Sequence, residues 1–118
     1  MSQPKGFKTL SGAIYHGQML QGQPTGVGRL DYVDGTTYMG DVVNGLAQGK
    51  GIFHYFTGNL YQGETFANKA HGLGLLVYSD GTSESGQFFN GRRRGPGQFT
   101  NLEGETEETF YDNNGFRI

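Results

Sequence analysis

The chain has no cysteine, no tryptophan and only three prolines in 118 residues. Without cysteine there is no disulfide, no zinc–thiolate site and no thiol nucleophile. An excess of one charge is missing as well. The formal net charge is −2, which excludes a strongly basic nucleic-acid binder. Apolar runs reach only a few residues, far short of the roughly 20 that a membrane-spanning helix needs. Met1-Ser2-Gln3-Pro4-Lys5 opens no signal-peptide pattern, and residue two is not the glycine of a lipidation motif. A cytoplasmic setting is the expectation, with which the absence of cysteine is compatible.

What is abundant is glycine, with 22 residues against a usual frequency of about 7 %. A flexible linker and a structural repeat both explain such a number, and spacing decides between them. Tyr15, Tyr38 and Tyr61 lie 23 apart, and Glu84 and Glu107 continue the series. Counting each as position 0, glycine recurs at +2, +11, +13 and +20 in all four full units, from Gly17, Gly26, Gly28 and Gly35 to Gly86, Gly95, Gly97 and Gly104. Position +7 holds Gly22, Gly45, Asn68 and Gly91, and asparagine is the best substitute for glycine at positive φ. Only Gly6 and Gly115 fall outside the pattern. The chain therefore divides into a half unit (5–14), four full units (15–37, 38–60, 61–83, 84–106) and a degenerate terminal strand (107–115) that has lost its Tyr and its Gly.

Each unit reads as two strands and two turns. In the third, 59–66 is rich in aromatic and β-branched residues, 67–72 reads as a long turn, 73–79 as a second strand, and Asp80-Gly81 as a tight hairpin turn. Glycine at this density opposes helix at about 1 kcal/mol each. The expectation is an all-β, single-layer antiparallel meander of nine or ten strands, about 45 Å long and coiled by the usual twist. Period two places positions 0 and +2 on one face with +13, +15 and +17. That face carries Tyr15, Tyr38 and Tyr61, Leu30, Phe53, Leu76 and Phe99, and Tyr32, Tyr55 and Tyr78, over glycine floors. The ladder serves either as the core of a thin sheet or as a groove gripping a partner segment.

Tyr-x-Gly-x-x-x-x-Gly-x-x-x-Gly-x-Gly followed by Asp-Gly resembles the MORN repeat (membrane occupation and recognition nexus). The first unit fits throughout, the second has Thr57 for Asp, the third Asn68 for Gly, and the fourth Glu84 for Tyr. The family often carries an aromatic near +5, where this chain has Leu20, Val43, Phe66 and Phe89. The resemblance implies a groove-shaped array of hairpins in cytoskeletal, ciliary or membrane-associated assemblies. It also implies a non-enzymatic scaffold that holds a helical or extended protein segment, or an accessory module of a larger enzyme or assembly.

No catalytic constellation stands out. His16, His54 and His71 occupy three different unit positions. Gly49-Lys50-Gly51 lacks the rest of a phosphate loop, and Gly26-Val27-Gly28 recurs in every unit with no helix behind it. Asp34 and Asp80 have a turn role already. Neither a metal nor a cofactor is expected.

Two departures from the repeat carry information. Residues 1–94 have net charge +2 and residues 95–118 net −4. Lys69 and Arg92-Arg93-Arg94 load the 67–72 type of turn with positive charge. Three readings stay open: a solvated turn neutralised by Glu103, Glu105, Glu107 and Glu108; an acidic protein partner; or an anionic phosphoinositide surface. The second departure is apolar. Ile52, Leu73, Leu75 and Val77 lie on the face opposite the tyrosines, so curvature and the termini cover them, or a partner or second copy does. The last strand reads as a cap or as an edge open to another copy.

Overall fold

The computed structural model describes residues 6–118. Met1–Lys5, which carry the leader-peptide reading and the first residue of the half unit, lie outside the described residues. Ten strands follow one another: β1 (Phe7–Lys8), β2 (Ile14–Leu20), β3 (Gln23–Asp31), β4 (Thr37–Val43), β5 (Leu46–His54), β6 (Leu60–Phe66), β7 (Lys69–Val77), β8 (Ser83–Phe89), β9 (Arg92–Thr100) and β10 (Thr106–Tyr111). They form a single sheet in strict sequence order, with every neighbour antiparallel. The array measures 51 × 27 × 20 Å.

The two turns are exchanged relative to expectation. The tight turn is not Asp80-Gly81 but Ala67-Asn68, and β7 begins at Lys69 rather than Leu73. Its equivalents are Gln21-Gly22, Asn44-Gly45 and Asn90-Gly91, and both residues of each pair have positive φ. This is the primed two-residue turn that matches strand twist. Asp80-Gly81 sits instead in a wider loop. There Tyr78 N–H donates to Thr82 C=O at 2.8 Å, Gly81 N–H to Tyr78 C=O at 2.9 Å, and Thr82 N–H to Asp80 Oδ1 at 2.9 Å. The aspartate therefore caps loop amides rather than occupying the tight-turn position.

Every hairpin closed by a tight turn contains a bulge, between Gly17 and Met19, Gly40 and Val42, Gly63 and Thr65, and Gly86 and Phe88. In the first three the residue at +3 holds it, whereas in the fourth the donor position is Pro96, which has no N–H. Val27 N–H donates to Gln18 Oε1 at 2.8 Å, Lys50 N–H to Asp41 Oδ2 at 3.0 Å, and Leu73 N–H to Glu64 Oε1 at 2.6 Å. A side-chain oxygen recurs at +3 for this reason, a signal the glycine pattern overshadows.

Glycines of adjacent strands pair side by side in one row across the sheet: Gly17, Gly28, Gly40, Gly51, Gly63, Gly74, Gly86 and Gly97. The tyrosines require this row. A Cβ on Gly28 would sit 2.5 Å from the Tyr15 ring, and one on Gly51 or Gly74 would overlap Tyr38 or Tyr61. The ring lies flat along the glycine floor, and its hydroxyl donates to the +3 carbonyl: Gln18 at 2.7 Å, Asp41 at 2.7 Å, Glu64 at 2.6 Å. Position +4 of the next unit then covers Tyr38 and Tyr61. Thr65 Oγ1 lies 3.5 Å from the Tyr38 hydroxyl, and Phe88 meets Tyr61 edge-on at 5.0 Å between centroids. Small residues at +9, Ala47 and Ala70, complete the interior.

Candidate functional site

The tyrosine face is the core. Tyr15, Tyr38, Tyr61, Leu30 and Phe53 are at most 2 % exposed, which corrects their assignment to a partner-binding groove. A sheet with no second layer must bury one face against itself, and the twist closes this one. Tyr32, Tyr55, Tyr78, Leu76 and Phe99 are half-buried along its rim. Burial pushes the phenols of Tyr15, Tyr38 and Tyr61 above their ordinary range, and Tyr55 up to about 12. A cavity of about 340 Å³ beside this rim is lined by Tyr55, Leu76, Asn59, Asn68, Ala70 and Phe88, among others.

Period two also splits the three arginines. Arg93 falls on the core face and is 5 % exposed, so it is no surface cation, contrary to its assignment to an anion site. The reason lies in Glu84, which stands where the other units have Tyr. Arg93 fills the vacated glycine cradle, and its Nη1 donates to Gln87 C=O at 2.6 Å. That carbonyl is the +3 acceptor that a tyrosine hydroxyl takes elsewhere. Arg93 Nε lies 3.6 Å from Glu84 Oε2, and Glu84 also accepts Tyr111 Oη–H at 2.5 Å and Thr109 Oγ1–H at 3.3 Å. Tyr111 covers the guanidinium at 4.9 Å. Two departures in one unit, Glu at 0 and Arg at +9, were the sequence signal for this exchange.

Arg92, Arg94 and Lys69 stay on the other side and line a cavity of about 360 Å³ with Asn90, Asn113 and Asn114. The acidic residues expected to neutralise them are engaged elsewhere or stand apart. Glu107 pairs with Arg117, Glu108 with Gln98, and Glu105 with Asn101. Glu103 has no ion-pair partner among the described residues.

Opposite the tyrosines, the sheet face is open. Met39 and Leu73 are each 59 % exposed and Leu75 is 38 % exposed; Ile52 and Val77 are half-buried. Met39, Ile52, Leu73 and Leu75 line a groove of about 810 Å³ across β4–β7, with Lys50, Gln62 and Glu64 as polar members and Gly51, Gly63 and Gly74 as its floor. Neither curvature nor the described terminal residues cover this patch. The glycine row that seats tyrosines on one face thus leaves a trough on the other.

The histidines do not converge. His16 lies 3.9 Å from Asp31, and His71 sits between Phe66 and Phe89, tilted to both rings, at 5.7 and 5.0 Å between centroids. Among the described residues no group of three or more His, Asp or Glu side chains is arranged to hold a metal. At the end of the array Ile118 N–H donates to Phe110 C=O at 2.8 Å and Tyr111 bridges to Arg117. The chain therefore folds back over part of the β10 edge that was expected to serve as a cap or to lie open.

A family profile described as MORN repeat matches residues 15–37, 38–60, 61–83 and 85–101. A comparison with curated proteins finds no match.

Proposed function

This chain belongs to the MORN-repeat family, a class of protein- and membrane-interaction modules, and on that premise we propose that it is a non-enzymatic scaffold that seats a segment of a protein partner in the open-face groove. One observation carries the reading: Met39, Ile52, Leu73 and Leu75 surround a glycine-floored trough of about 810 Å³. Exposed contiguous apolar surface of this kind marks interaction sites. The backbone beneath is already paired within the sheet, so a partner gains affinity here by burying side chains rather than by adding a strand. The trough crosses four strands, about 14 Å at the usual strand spacing. That matches about ten residues of helix, and the groove suits the apolar side of an amphipathic helix. A cytoplasmic, cytoskeletal or ciliary setting is part of the proposal.

The test is a photo-cross-linking amino acid in place of Gln62, with Leu75→Asp as the disabling variant. A partner captured at Gln62 and lost with Leu75→Asp is the expected result. A partner whose association Leu75→Asp leaves unaltered, in a chain with native circular dichroism, overturns the groove. The smaller cavity beside Tyr55 and Leu76 is the second reading; it predicts that replacing Tyr55 and Leu76 together by Ser, not Leu75→Asp, abolishes binding.

A further inference from the structure

We propose that Arg92 and Arg94, with Lys69, form a binding site for a phosphomonoester group, separate from the open-face groove. Lys69 and Arg92 share position +8 of the third and fourth units, and Arg94 is at +10 of the fourth; the first two units have no cation at either place. Positions +8 and +10 hold Gln23 and Thr25, then Leu46 and Gln48, in the first two units. The site is therefore peculiar to the end of this array.

Three observations support it. First, both guanidiniums are held in place. Arg92 Nη1 donates to Asn114 C=O at 3.2 Å, Arg94 Nε donates to Asn113 Oδ1 at 3.1 Å, and the Arg94 guanidinium lies over the Phe89 ring at 4.6 Å. Each contact uses one N–H and leaves the rest of the fork available, and preorganisation lowers the cost of binding. Second, the charge is uncompensated. Among the described residues the ion pairs are His16–Asp31, Arg29–Asp31, Arg93–Glu84 and Arg117–Glu107. Asp112, in the neighbouring loop, turns its Oδ1 to the N–H groups of Asn114 and Phe116, each at 2.9 Å. Third, the cations line one concavity of about 360 Å³ with Asn90, Asn113 and Asn114, which supply neutral polar groups at its wall. Forked donors, a point charge and amides without a carboxylate suit a doubly charged, three-oxygen group better than a single carboxylate.

Such a group arrives either on a lipid headgroup or on a soluble phosphate ester. The experiment titrates the whole chain with soluble inositol trisphosphate by calorimetry. In parallel, it is co-sedimented with phosphatidylcholine vesicles with and without phosphatidylinositol bisphosphate. Arg92→Ala/Arg94→Ala is the disabling variant, Arg94→Lys keeps the charge and removes the fork, and Lys8→Ala, on the exposed strand β1, is the control for a cation elsewhere. Binding that falls at least about tenfold in the double variant, weakens in Arg94→Lys and is unchanged in Lys8→Ala is expected. Phosphoinositide-dependent sedimentation on top of that assigns the source to a membrane. Soluble binding without sedimentation assigns it to a free phosphate ester. No binding in either arm, or equal loss in Lys8→Ala and the double variant, overturns the proposal, as does full binding by a natively folded double variant.

Discussion

The Tyr32 hydroxyl donates a 2.9 Å hydrogen bond to the side-chain oxygen of Asn68, 36 residues away. The same oxygen accepts the backbone N–H of Ala47 at 2.9 Å. A loop of the first unit, a strand of the second and a turn of the third thus meet at one amide. Asn68 replaces the glycine of this turn and keeps its positive φ of 70°. It also adds contacts that glycine cannot make.

Replacing Asn68 separates these two roles. Asn68→Gly retains the turn and loses the side-chain bonds, at a cost of about 1 kcal/mol per bond lost. Asn68→Ala adds the left-handed penalty of about 1 kcal/mol. Urea denaturation should rank wild type above Gly and Gly above Ala. A Gly variant as stable as wild type would show that the amide contributes nothing beyond backbone freedom.

The Glu84–Arg93 pair predicts strong non-additivity. Glu84→Ala leaves a buried guanidinium unpaired and should cost about 3–5 kcal/mol. Glu84→Tyr/Arg93→Ala restores the arrangement of the other units and should recover most of that loss, because a phenol on the glycine floor again reaches Gln87 C=O. A double-mutant cycle by chemical denaturation reads the coupling. Additive effects would contradict the exchange.

Gly74 and Gly104 are opposite cases. A Cβ on Gly74 would overlap the Tyr61 ring, whereas one on Gly104 meets nothing within 4 Å. Gly74→Ala should destabilise by at least about 2 kcal/mol through overpacking. Gly104→Ala should cost only the strain of its positive φ, about 1 kcal/mol. Thermal or urea unfolding of the two variants decides the order.

Burial raises the core phenols, so the fold favours their neutral form. That contribution is complete below the ordinary tyrosine value of 10.0 and is lost as pH rises, through about 12 for Tyr55. Stability should therefore hold level on the alkaline side until about pH 10 and then fall, with tyrosinate absorbance appearing as the chain unfolds. Tyr55→Phe should reduce the steepness of the fall. Tyrosinate appearing at ordinary pH values in the folded chain would contradict the burial argument.

The sequence by itself determined the repeat, the all-β meander and the face shared by positions 0, +2, +13, +15 and +17. Each rests on strict period-two and period-23 spacing, which is local information. It placed glycines under tyrosines correctly, because only glycine lets a ring lie on a strand. It misplaced the turns because the third unit sets Asp80-Gly81, a hairpin signal, against Ala67-Asn68, which is none; the Asn44-Gly45 and Asn90-Gly91 pairs of the second and fourth units carry the signal at the true turn. The tertiary structure alone decided which face is closed. Both the tyrosine ladder and the Ile52–Leu73–Leu75 patch read as apolar, and only the direction in which the sheet curls makes one the interior and the other a groove. It alone divided the arginines too. Arg93 is buried because Glu84 vacated a ring-shaped space and Tyr111 closes over it, while Arg92 and Arg94, one residue to either side, are turned to the opposite face.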